Sequence, residues 1–105
     1  MRVDLTYDWF PVIPDTNPTG YKRITTKSTN IIKIGAGILR SIVVGNAGSG
    51  GNVITIYDNV SSVAPVIQMF LNAQANEYQL NTSFNTGLTV KSSTGTSADF
   101  TVYYE

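Results

Sequence analysis

The chain has 105 residues, seven Lys plus Arg balanced by seven Asp plus Glu, and neither cysteine nor histidine. A single domain of this length buries roughly 65% of its unfolded surface, and its balanced charge argues against nonspecific attraction to nucleic acid or anionic lipid. Without imidazole or thiol there is no Ser-His or Cys-His nucleophile pair, no disulfide and no zinc site of the usual nitrogen and sulfur ligands; a metal would need oxygens alone, and no cofactor is expected.

Residues 1–20 are the first predicted element. They hold three of the four prolines (Pro11, Pro14, Pro18) and the only Trp, with no apolar periodicity longer than a few residues. Proline fixes φ and withdraws a backbone donor, so PVIPDTNP is neither helix nor central strand; Trp9, Phe10, Val12 and Ile13 make the segment too apolar for a solvated tail. It reads as an extended arm that lies on something apolar. The start MRVDLTYDWFPV lacks the apolar core of a signal peptide, and no stretch reaches the ~20 apolar residues of a membrane span, so use without Sec export is expected.

Residues 21–105 read as short strands rich in Val, Ile, Thr and Tyr, punctuated by Gly, Asn and Ser. The first two are Tyr21–Ser28 and Asn30–Ile34. They carry Lys22, Arg23, Lys27 and Lys33 without an intervening acid, whereas Asp4, Asp8 and Asp15 precede them. Lysines protecting a solvated strand edge are the preferred reading of this run, and a basic patch docking on an acidic surface is the alternative. Gly37–Asn46 is apolar on nearly both faces, with Leu39, Ser41 and Val43 on one and Ile38, Ile42 and Val44 on the other, as in a central strand. Val53–Tyr57 alternates Val53, Thr55 and Tyr57 against Ile54 and Ile56. In the strand beginning after Pro65, Ile67, Met69 and Leu71 share a face; a helix over Val66–Gln79 is the disfavoured alternative, because its second half buries too little. Tyr78 with Leu80, Leu88 with Val90, and Phe100, Val102 and Tyr104 against Asp99, Thr101 and Tyr103 complete the pattern. Seven or eight strands at this density predict an all-β, antiparallel β-sandwich of jelly-roll-like form, with the arm at its N-terminus.

Four features could carry chemistry or binding. The glycines of GNAGSGGN resemble a phosphate loop only in composition: there is no following lysine and no helix, and the alternating NVITIYD predicts a hairpin bend instead. Asp58 and Asp99 suggest an oxygen-only calcium site, but Asp58-Asn59 after a strand fits an Asx-turn better. A glycosidase-type carboxylate pair drawn from Asp58, Glu77 and Asp99 has no support beyond the presence of acids. Tyr57, Tyr103 and Trp9 could stack on sugars or bases, although packing roles serve them equally, and without interleaved basic residues nucleic acid is the weaker ligand.

The segments AGILRSIVVGNAG, VITIYDN, FNTGLTVKSS and ADFTVYYE together resemble small β-rich virion proteins of tailed double-stranded DNA bacteriophages. The shared pattern is a G-x-L-x-x-I-V-V strand, a glycine-rich turn, a YDN strand end, an F-x-x-G-L-x-V strand and a final D-x-T-V-x-Y strand, covering about residues 36–105. The resemblance implies a noncatalytic capsid decoration (auxiliary or cement) protein, made in the host cytoplasm and held on the virion surface. Its partners would be the major capsid protein, neighbouring virion proteins or further copies of itself, with neither nucleic acid nor membrane among them. Because the chain stops at Glu105 without a fibre shaft and begins with the arm, decoration is preferred to a head-fibre or tail role. Tyr7, Trp9, Phe10 and Ile13 are the expected docking anchors. A carbohydrate-binding host-adhesion module is the competing class.

Overall fold

A computed structural model of the protein describes residues 20–105. Eight strands follow in order: β1 (Gly20–Ile24), β2 (Thr29–Ile34), β3 (Gly37–Asn46), β4 (Val53–Tyr57), β5 (Val66–Leu71), β6 (Asn76–Phe84), β7 (Gly87–Ser93) and β8 (Asp99–Tyr104). They form two four-stranded antiparallel sheets, β1-β8-β3-β6 and β2-β7-β4-β5, here sheet one and sheet two. No helix is present among the described residues, so the helical alternative over Val66–Gln79 is replaced by β5 and β6. The arm of residues 1–20 lies outside the described residues except for Gly20, which already pairs with Tyr104 as the first residue of β1.

The two sheets share one buried cluster, a β-sandwich-like arrangement. Ile24, Leu39, Ile42, Val44, Phe84, Phe100 and Val102 come from sheet one; Ile54, Ile56, Leu88 and Val90 come from sheet two. Tyr78, Leu80 and Tyr104 pack against this cluster from sheet one, and Ile32, Ile67 and Phe70 from sheet two. β-branched and aromatic side chains at alternate positions fill such a pleated interior at little rotamer cost. The inward set expected for β8 is found, and the groupings by alternation in β4, β6 and β7 hold, with Ile54 and Ile56, Tyr78 and Leu80, and Leu88 and Val90 turned to the core.

Four local expectations are corrected. The predicted strand Tyr21–Ser28 stops at Ile24, because the bend at Thr26 and Lys27 carries the chain from sheet one to β2 in sheet two. The glycine-rich segment is not a hairpin: β3 lies in sheet one and β4 in sheet two, so it crosses between the sheets. Only β4 and β5 are joined as a hairpin within one sheet. In β3 the register shifts between Leu39 and Ser41 against both neighbours, a bulge at Arg40 that turns Leu39 to the same side as Ile42 and Val44. Strict alternation had grouped Leu39 with Ser41 and Val43, which face outward; one extra residue reverses the parity of everything before it.

The fourth correction concerns β5. Tyr57 pairs with Val66 whereas Ile56 pairs with Gln68, so Ile67 is an extra residue and turns inward with Phe70. Met69 and Leu71, expected to share a face with Ile67, are instead 60% and 70% exposed.

Candidate binding surfaces

The described carboxylates are each held by a neighbour. Asp58, just after β4, accepts the backbone N–H groups of Asn85, Thr86 and Gly87, with nitrogen–oxygen distances of 2.9 to 3.4 Å. It thereby fixes the turn between β6 and β7, and the Thr86 N–H first, then those of Asn85 and Gly87, draw its pKa below the ordinary carboxylate value. The Asx-turn expected here is divided between two residues. Asn59 serves the local loop, accepting from the Val60 N–H and donating to the Ala64 carbonyl, while Asp58 reaches across to another turn.

Asp99 takes a two-pronged contact from the Arg23 guanidinium, Nε at 2.9 Å and Nη2 at 2.6 Å. Those hydrogen bonds lower the Asp99 pKa and raise that of Arg23. Glu105 pairs with Arg40 at the β3 bulge, and Glu77 accepts from the Gln79 amide. Asp58 follows a strand of sheet two, whereas Asp99 and Glu77 belong to β8 and β6 on either side of β3 in sheet one. The three acids are thus tied up separately, and no group of three or more metal-ligating side chains occurs among the described residues.

The glycine-rich crossing answers the phosphate question geometrically. Gly50 and Gly51 do adopt positive φ, +67° and +81°. The N–H groups of Gly51 and Asn52 are occupied by the side-chain oxygen of Asn72, at 3.1 and 2.9 Å, and those are the kind of donors a phosphate would need. Asn52 itself is fully buried. Its amide nitrogen donates to Ser92 Oγ and to the carbonyls of Ser93 and Thr94, and its oxygen accepts the Ala98 N–H. Gly48 is required beside it, since a Cβ there would stand 2.5 Å from Asn52 Oδ1. The stretch is a structural knot joining three loops, and nothing in the sequence pattern marked Asn52 or Asn72 as its centre.

Of the predicted basic residues, Lys22 and Arg23 lie on β1, Lys27 in the following bend and Lys33 on β2. β1 and β2 are edge strands of different sheets, and Arg23 is paired with Asp99, so the run is spread along two edges. Tyr7, Trp9, Phe10 and Ile13 lie outside the described residues.

Several surfaces are open for contact, the β2 edge with Ile31 and Ile34 at 56% and 78% exposure among them. On the outward side of sheet one, Ser41, Val43, Glu77 and Tyr103 line a shallow groove of about 300 Å³, flanked by Tyr21, whose ring centroid is 6.2 Å from that of Tyr103. On sheet two, Val66, Met69 and Leu71 project from β5 with 52%, 60% and 70% of their surface exposed. Tyr57 sits on the neighbouring β4, half-buried opposite Val66.

No family model, curated protein or solved structure matches the chain. The fold and surfaces define an all-β, β-sandwich-like domain in which Asp58, Asp99 and Glu105 are engaged in contacts of the fold.

Proposed function

We propose that this is a noncatalytic jelly-roll virion protein that coats the outside of a phage capsid as a decoration protein, with its N-terminal arm as the docking element. The observation that carries the reading is the strand order β1-β8-β3-β6 facing β2-β7-β4-β5. Six of the seven connections cross from sheet to sheet, and double-sheet folds of eight strands wound in this way recur in viral capsid domains. The four sequence segments that resemble phage virion proteins are β3, β4, the β6–β7 region and β8. The engagement of Asp58 in turn fixation and of Asp99 and Glu105 in ion pairs also favours a role without chemistry.

In this mechanism Tyr7, Trp9, Phe10 and Ile13 anchor the arm on the major capsid protein or on a neighbouring copy, and repetition over a shell multiplies a weak contact. Truncating buried aromatic anchors of this kind typically costs about 2 kcal/mol or more. The test compares full-length protein with a chain lacking residues 1–18 and with Trp9→Ala on purified particles. Loss of coating by a truncated domain that still melts cooperatively supports the reading; wild-type occupancy without the arm overturns it. Hundreds of copies per particle mean decoration, and a dozen or fewer mean a head-fibre or tail role.

The groove on sheet one favours a second reading, a glycan-binding adhesion module. Tyr103 offers a flat apolar face beside the polar groups of Glu77 and Ser41, a combination suited to a sugar ring and its hydroxyls. Binding on a broad glycan array that is lost in Tyr103→Ala would support it, and a clean negative would sink it.

A further inference from the structure

We propose that residues 4–10 of one copy add as a strand to the free edge of β5 in a second copy, so that neighbouring domains are linked by exchanged arms. The inference rests on the assembly role given above to the arm, and it names the surface the arm occupies.

β5 is the outer strand of sheet two, paired only with β4 among the described strands. The other three edge strands are charged, with Lys22 and Arg23 on β1, Lys33 on β2 and Glu77 on β6. The sequence of β5, VIQMFL, has no charge at all. Charged side chains are a common device for keeping exposed edges from pairing with other chains, so an edge without them is open to a strand. Its outward side chains, Val66, Met69 and Leu71, are more than half exposed and pair with Tyr57, Thr55 and Val53 of β4. This extends the surface onto the adjoining strand, and contiguous exposed apolar surface of this sort marks an interaction site.

The occupant is identified by pattern, charge and reach. In DLTYDWF, Leu5, Tyr7 and Trp9 alternate with Asp4, Thr6 and Asp8. A strand made of this segment puts Leu5, Tyr7 and Trp9 on the face that β5 presents and leaves Asp4, Thr6, Asp8 and Phe10 on the other. Residues 1–19 carry one arginine against three aspartates, whereas residues 20–105 carry six basic side chains against four acids, so arm and domain have opposite net charge. Three prolines fall within residues 11–19. A proline-rich connector extends by ~3.1 Å per residue, roughly 28 Å here, and resists folding back. A sheet of four strands is only about 15 Å wide. The connector precedes β1 in sheet one, and a spacer of that length has the reach to set the apolar segment on the β5 edge of a neighbour.

The protein lacks cysteine, so engineered thiols report the contact. Full-length Tyr7→Cys and full-length Met69→Cys, mixed and oxidised with glutathione disulfide, are expected to give a mixed dimer on a non-reducing gel. It should exceed either homodimer by about tenfold. In a second measurement, the wild type should sediment as a multimer, and Met69→Glu, at an exposed position that leaves the core untouched, as a monomer with an unchanged circular dichroism spectrum. A double variant that closes only an internal disulfide assigns the arm to its own domain and overturns the proposal. So does a Met69→Cys homodimer as abundant as the mixed one, which would mean edge-to-edge pairing, or a Met69→Glu protein that stays multimeric. Mixed dimers from a protein that does not coat capsids would uphold the exchange and refute the capsid reading; coating without mixed dimers would do the reverse.

Discussion

Replacing Asn52 by alanine tests whether the glycine-rich crossing is a structural knot. Asn52 is fully buried, as is Ala98, whose N–H it accepts at 3.2 Å. The substitution leaves that donor without a partner and withdraws the amide from Ser92 Oγ and from the Ser93 and Thr94 carbonyls. An orphaned buried polar group costs about 1–3 kcal/mol, so the orphaned amide together with the carbonyls amounts to about 3 kcal/mol. For a domain of this size each kcal/mol moves the melting temperature by roughly 4–8 °C, so Asn52→Ala should melt about 15 °C below wild type. Urea unfolding followed by circular dichroism gives the free energy directly, and an unchanged m-value shows that the same surface is exposed on unfolding. Ser92→Ala, which removes one neutral partner of the same amide, should cost only about 1 kcal/mol. A loss below about 1 kcal/mol for Asn52→Ala would refute the reasoning, because it would mean that water or a shift of the loops satisfies every group that Asn52 now serves.

Two further outcomes follow from the geometry. The pKa values of Asp58 and Asp99 are lowered in the folded state, so the unfolded chain binds more protons in acid. Their stabilisation is present above the ordinary carboxyl pKa of about 3.9 and is lost as pH falls through the lowered folded values. Asp58→Asn should therefore melt below wild type near neutral pH, with the gap narrowing below about pH 4; a constant gap across that range, followed by differential scanning fluorimetry, would contradict the role of Asp58 at the β6–β7 turn. The bulge in β3 predicts that Leu39→Ala costs about 3 kcal/mol in urea unfolding, whereas Val43→Ala, half-buried on the outward face, costs under about 1 kcal/mol. Equal losses would restore the uninterrupted alternation.

The strands were legible where local pattern alone decides them. Gly37–Asn46 and Val53–Tyr57 are found with the bounds read from the sequence, and Leu88, Val90, Phe100 and Val102 are buried as period-two alternation requires. Alternation failed at Arg40 and Ile67 for one reason: a single inserted residue reverses which side faces the core, and no local residue type announces it. Pairing was less visible still. A glycine-rich link of this length fits a hairpin and a crossing equally well, and the choice depends on whether the neighbouring strands find partners far along the chain, as β3 does with β6 and β8.

The same distinction governs the candidate surfaces. Composition identified what was missing, His and Cys, and thus which chemistries to discount, but it could not say what the acids do instead. Asp58 and Asp99 were suspected together as a pair of oxygen ligands, yet each is committed to a partner remote in sequence, the Asn85–Gly87 backbone and Arg23. Conversely, alternation groups Met69 and Leu71 with Ile67, and their separation from it, outward and exposed, emerges only once β5 is known to be an edge with a bulge at its start. An apolar strand left uncharged at an edge has a cost in solubility that the other three edges avoid. That cost is offset if the edge is covered in the assembled state, which is the role the proposed arm exchange gives to the exposed Val66, Met69 and Leu71.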